Sequence, residues 1–138
     1  MCRPRLDRRK PPKVSTEFDP TGLLVQVHRH AERMEQVTRA ILETPGDTDP
    51  ELRKAVESFA AALSGRDDGA GTANLPDDLV PYLEKVARHA YKVTDSDVDR
   101  LKQVGYSEDA IFELTLAAAL GAARARLERG LQAMGIAS

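Results

Sequence analysis

The chain has 138 residues, 30% of them charged, with a net charge of −2, three Tyr, three Phe, no Trp and a single Cys. One domain of that length buries about two-thirds of its unfolded surface. The near-balanced charge excludes the whole molecule as an obvious polyanion binder, the lone Cys2 excludes an internal disulfide or CxxC redox pair, and no apolar run is long enough to cross a bilayer.

Charge is nevertheless uneven. The opening "MCRPRLDRRKPPK" carries six Lys/Arg against one Asp, which leaves the remainder with 14 basic and 21 acidic residues, or −7. Pro, Arg and Lys without apolar periodicity cannot build a core, so residues 1–17 are expected to be a disordered, solvated basic tail. Contact with nucleic acid or another acidic partner is a second reading of this tail, and a targeting role a third. A cytoplasmic location is the default expectation.

Asp19-Pro20 has the form of an N-cap followed by a first helical residue, and Leu23, Val27, Ala31, Met34, Val37 and Ile41 then recur at helical spacing. His28, Glu32 and Glu35 share the opposite, polar face with Arg39 and Glu43. That stripe has metal-ligand chemistry, but its continuation in charges marks it as a solvated ion-paired face. "TPGD" ends the helix. Asp49-Pro50 repeats the start signal for a second helix with Leu52, Val56, Phe59, Ala60 and Leu63 on one side. Residues 64–75 form a Gly- and Asp-rich linker; it lacks GK[ST] and carries two Asp that would repel a phosphate.

A third helix is predicted within residues 75–93, starting at Pro76 or restarting at Pro81, with Leu79, Leu83, Val86 and Ala90 on one face. Thr94 with Asp97 three residues on forms a capping-box pattern for a short fourth helix. Val98, Leu101 and Val104 should point inward, and Gly105 should end it. Ser107 then caps a long fifth helix whose first turn is acidic. Ten consecutive residues of it, Leu114 to Ala123, carry no charge.

Within that smooth stretch Ala117, Gly121 and Ala125 stand four apart and make a groove of small residues, flanked by Leu116, Leu120 and Leu127 as ridges. Gly in a helix costs about 1 kcal/mol relative to Ala. The groove should therefore receive a closely approaching helix, from the same chain, a second subunit, or both. Further along, Leu127, Leu131 and Met134 are expected to face inward. The sum is an all-α chain, a five-helix bundle in one helical domain spanning residues 18–138.

The text "VGYSEDAIFELTLAAALGAARARLERGL" resembles the carboxymuconolactone decarboxylase and alkylhydroperoxidase D-like family, over about residues 76–134. The resemblance implies an all-helical subunit that oligomerises, often as trimers or hexamers. Its peroxidase members use the pattern E-x11-C-x2-C-x3-H. Here the corresponding positions hold Asp78, Ala90, Val93 and Asp97, and no cysteine lies beyond Cys2. A thiolate is the nucleophile in that chemistry, so dithiol peroxidase activity is not expected of this chain.

The chemistry that remains near those positions is His89 and Tyr91 beside Asp97, a set able in principle to move a proton. Asp78, Ala90 and Val93 would then line a small pocket. The leading expectation is a non-redox alkylhydroperoxidase D-like homo-oligomer acting as a binding or assembly module, with a small-molecule ligand at the old site. No cofactor, metal or membrane partner is expected. The alternative is an acid–base enzyme acting on a small organic acid or lactone through His89 with Tyr91 or Asp97. A nucleic-acid-associated protein working through its basic tail is the third.

Overall fold

The computed structural model describes residues 20–66 and 74–136. Five α-helices make up most of them: α1 (Pro20–Glu43), α2 (Pro50–Leu63), α3 (Val80–His89), α4 (Asp95–Val104) and α5 (Glu108–Ala133). A 3-10 turn, Ala90–Lys92, joins α3 to α4, and no strand occurs among the described residues. The fold is thus all-helical, as the periodicity predicts. The basic tail, Cys2, Asp19 as a cap and residues 67–73 of the linker lie outside the described residues.

The chain separates into two units between Arg33 and Met34, inside α1. The first contributes the opening turns of α1, where Leu23, Leu24, Val25 and Ala31 are exposed. The second holds the core, built from the inner faces of α2, α3 and α5, with Leu101 of α4 and Leu42 of α1. Of the predicted α1 stripe within this unit, Met34 and Ile41 pack against the core, but Val37 faces solvent.

Helix α2 starts where Asp49 Oδ1 accepts the Glu51 N–H at 2.9 Å, with Pro50 in the first turn where its missing N–H leaves no bond unmade. Its Val56 and Ala60 are fully covered. The most extensive helix–helix contact in the chain joins α2 to α5, and the small residues explain it. Ala117, Gly121 and Ala125 are buried, and a Cβ placed on Gly121 would lie 2.1 Å from the carbonyl oxygen of Glu57. The groove therefore receives α2 of the same chain, backbone against backbone. Of the three predicted ridges only Leu120 is buried; Leu116 and Leu127 lie around the helix from the groove and are exposed.

Buried polar groups tie the loops to this pair. Arg53, almost fully covered, donates to the carbonyls of Ile41 (2.7 Å) and Thr44, satisfying acceptors that the end of α1 leaves open. The Glu57 carboxylate accepts from Arg66 (3.3 Å) and Arg124 (3.1 Å), and Arg66 reaches on to Glu128 (2.8 Å). Glu113 of α5 accepts the backbone N–H groups of Asp47 and Thr48, both at 2.9 Å, together with the Thr48 hydroxyl. Gly46 leaves room for that carboxylate, since a Cβ there would fall 2.1 Å from Glu113 Oε1.

Four further inward placements predicted from periodicity are corrected, besides Val37. Helix α3 begins at Val80 after a turn closed by Leu79 N–H to Pro76 O, and it stops at His89, whose backbone (φ −145°) leaves the helical region. Ala90 then belongs to the 3-10 turn and is exposed, so the face made by Leu79, Leu83 and Val86 ends one turn early. Val104 sits 50% exposed at the end of α4, while Leu101 fills the inward position and Val98 packs against the core beside it, as predicted. Leu127 and Met134 also face solvent; Leu127 lies around the helix from the side on which Ala125 is buried and Arg66 reaches Glu128, and Leu131 is half-buried.

Candidate functional site

A cleft of about 240 Å3 lies between α3 and α4. It is lined by the apolar Pro81, Tyr82, Leu101 and Val104 and by the charged Asp77, Asp78, Lys85, Asp97 and Arg100; Tyr82, Leu101 and Asp97 are its buried members. The turn before α3 supplies the first two acids. One turn into α3, Tyr82 points inward and Lys85 lies beside it; α4 supplies the facing wall.

Asp97 is the best-held group in the cleft. As the third residue of α4 it receives the Thr94 N–H at 2.9 Å and the Thr94 hydroxyl at 3.0 Å on Oδ2. Oδ1 accepts from Lys85 Nζ at 2.6 Å. The Lys85 hydrogen bond, then the Thr94 amide, hold its carboxyl down to about 2. The opposite end of α4 closes with Gly105 at φ +115°, a left-handed conformation that favours glycine, while Tyr106 N–H donates to Leu101 O.

Tyr82 is committed as well. Thr115 donates its hydroxyl to Ile111 O at 2.6 Å, so in the 2.7 Å contact between Tyr82 and Thr115 the phenol must be the donor. Burial, and the negative charge of Asp78, push the Tyr106 phenol upward, which keeps it neutral. Arg100, Asp77 and Asp78 make no hydrogen bond or ion pair among the described residues and are exposed, so they are the charged lining groups open to an incoming molecule.

The sequence-predicted acid–base set is not brought together. Asp97 lies in the cleft. His89 is on the outer surface at the end of α3, and Tyr91 is 81% exposed. Their rings meet edge to face with centroids 6.0 Å apart, and Lys92 Nζ stands 5.7 Å from the Tyr91 ring, so the trio forms a surface cluster around the turn. Of the expected pocket residues, Asp78 lines the cleft, Val93 packs on the core and Ala90 faces water. His28, Glu32 and Glu35 are exposed, and among the described residues no three His, Cys, Asp or Glu are grouped to hold a metal.

Sequence reasoning missed Lys85, Arg100 and Tyr82. Lys85 and Asp97 are twelve residues apart on separate helices, and only the break at His89 turns one back onto the other. The one available signal was the second start, Pro81, which sets the phase of α3. No helix is long and apolar enough among the described residues to cross a membrane. No family model, curated protein or solved structure matches the chain.

Proposed function

We propose that this protein is a non-catalytic binding and assembly module, a non-redox relative of the alkylhydroperoxidase D-like proteins that works as a homo-oligomer. The observation that carries this reading is the character of α5. One face is sealed against α2 through Ala117, Gly121 and Ala125, while the outer face also presents apolar side chains, to solvent. A helix with two apolar faces is suited to a second partner.

The cleft supports binding better than turnover. Its best-placed carboxylate has every near partner taken and is too weak a base at neutral pH to abstract a proton efficiently. The histidine and tyrosine that an acid–base mechanism would need stand on open surface. What the cleft offers is an apolar lining with Arg100, Asp77 and Asp78 exposed beside it, a combination suited to a small amphipathic ligand that carries charge.

Sedimentation equilibrium over a wide concentration range tests the assembly. A species heavier than one chain, growing with concentration or present throughout, is expected. The mass of a single chain at every concentration would overturn the reading.

A further inference from the structure

The outer face of α5 has an internal order that names its partner. At 100° per residue, eight positions of the helix and its cap fall within about 40° of a line through Ala123. Asp109 of the first turn is one of them. The other seven are Phe112, Leu116, Ala119, Ala123, Leu127, Gly130 and Met134, all exposed, Phe112 at 63%, Leu127 at 48% and Met134 at 65%, and none of these seven is charged.

These seven positions are palindromic about Ala123. Turned end for end, Phe112 falls opposite Met134, Leu116 opposite Gly130, and Ala119 opposite Leu127, while Ala123 meets itself. Each leucine thus meets a residue with little or no side chain. Size complementarity of this kind lets two helices close along their whole length.

Gly130 supplies an independent reason. A Cβ at this position would touch nothing within 4 Å. Nothing among the described residues therefore explains a glycine there, although it weakens the helix. An opposing leucine from another copy does explain it.

The pattern of sizes favours one direction. Antiparallel pairing sets Leu116 against Gly130 and Leu127 against Ala119 and opposes the two helix dipoles, whereas parallel pairing about the same line would set each leucine against its own copy.

We propose that the outer face of α5 is a two-fold interface with a second copy of this chain, the two helices antiparallel and crossing beside Ala123. This deepens the assembly reading above and rests on it. The stripe is about 33 Å long at 1.5 Å per residue. A single helix pair of this length buries less than the roughly 1,200 Å2 of a standard stable interface, so the association is reversible and concentration-dependent.

The test uses the full chain with Cys2→Ser, so that an introduced thiol is the only one. Ala123→Cys should give a covalent dimer with a short thiol-to-thiol cross-linker. Ala119→Cys alone should not, but Ala119→Cys mixed with Leu127→Cys should give the mixed dimer. Gly130→Phe should weaken self-association about ten-fold or more, while the dilute protein keeps its helical content and melts no lower than the parent. Absence of the Ala123→Cys cross-link, or undiminished association of Gly130→Phe, would overturn the two-fold. If particles heavier than one chain persisted in that case, the assembly reading would stand and only the α5 interface would fall. A single chain at all concentrations would sink both.

Discussion

The two faces of α5 are built from similar residues and have opposite fates. Ala117, Gly121 and Ala125 on one side are buried against α2; Ala119, Ala123 and Gly130 on the other are exposed. What separates them is the surrounding polar chemistry. The α2 side is enclosed by Glu57 with its two arginines at one end and by the Glu113 carboxylate gripping Asp47 and Thr48 at the other. The outer side has Phe112, Leu116, Leu127 and Met134, exposed, with no bond among the described residues closing over them. Small residues create the opportunity for close approach, and fixed polar clamps decide which side takes it within one chain.

The sharpest way to break this contrast is Gly121→Ala. The added methyl would sit 2.1 Å from the Glu57 carbonyl oxygen, and a backbone atom cannot step aside as a side chain can. The two helices must separate, opening the packing of Val56, Ala60 and Leu114. Overpacking commonly costs about 1–3 kcal/mol. Here the expected loss is at or above that upper figure, read as a lower denaturation midpoint in urea at unchanged slope. A variant as stable as the parent would mean α2 does not rest on Gly121.

A smaller effect is expected at the polar clamp. Burial pushes the Glu113 carboxyl up, but the Thr48 hydroxyl and the amides of Asp47 and Thr48 outweigh it, and the net shift is downward. A carboxylate with a depressed folded-state pKa adds stability that is present above its ordinary value and is lost as pH falls through the folded one. Asp97, held down to about 2, acts with the same sign, and its contribution is lost between about pH 4 and 2. Glu113→Gln should cost about 1–2 kcal/mol near neutral pH, discounted for partial exposure, and should flatten the decline in melting temperature on acidification. An equally steep decline in the variant would show that Glu113 is not the group being titrated.

Much of this architecture is legible in the sequence because it is local. Asp49-Pro50, the Thr94–Asp97 box, Gly105 and Ser107 each act within four residues, and all four stand where their spacing predicts. The groove at Gly121 is legible too, since a helix repeat places its members on one line. What escapes is whatever depends on where a helix stops or what lies across from it. Ala90 fits the α3 stripe, but the backbone of His89 ends the helix before the stripe can include it. Val104 and Met134 fit their stripes and are exposed, because no described neighbour covers them. The Lys85–Asp97 pair joins two helices across a break, and no periodicity encodes it. Arg53 is harder still. A cation beside an apolar stripe suggests solvent, yet it is buried because the open carbonyls of Ile41 and Thr44 await a donor.

The smallest expected effect is also the one that isolates the contrast between the two glycines of α5. Gly130→Ala adds the same methyl as Gly121→Ala, on the same helix, at a site where nothing lies within 4 Å. Its φ is not positive, so alanine fits the backbone without strain. The change should stabilise the dilute monomer by about 0.5–1 kcal/mol, because alanine restricts the unfolded chain and favours the helix. The site is near the end of α5, which places the effect towards the lower figure. At high concentration the methyl meets the opposing Leu116 in the proposed pairing, so the gain should shrink as association sets in. A stabilisation independent of concentration would place Gly130 outside any interface. A destabilised dilute monomer would instead reveal a contact within the chain, and the two faces of the helix would cease to differ in kind.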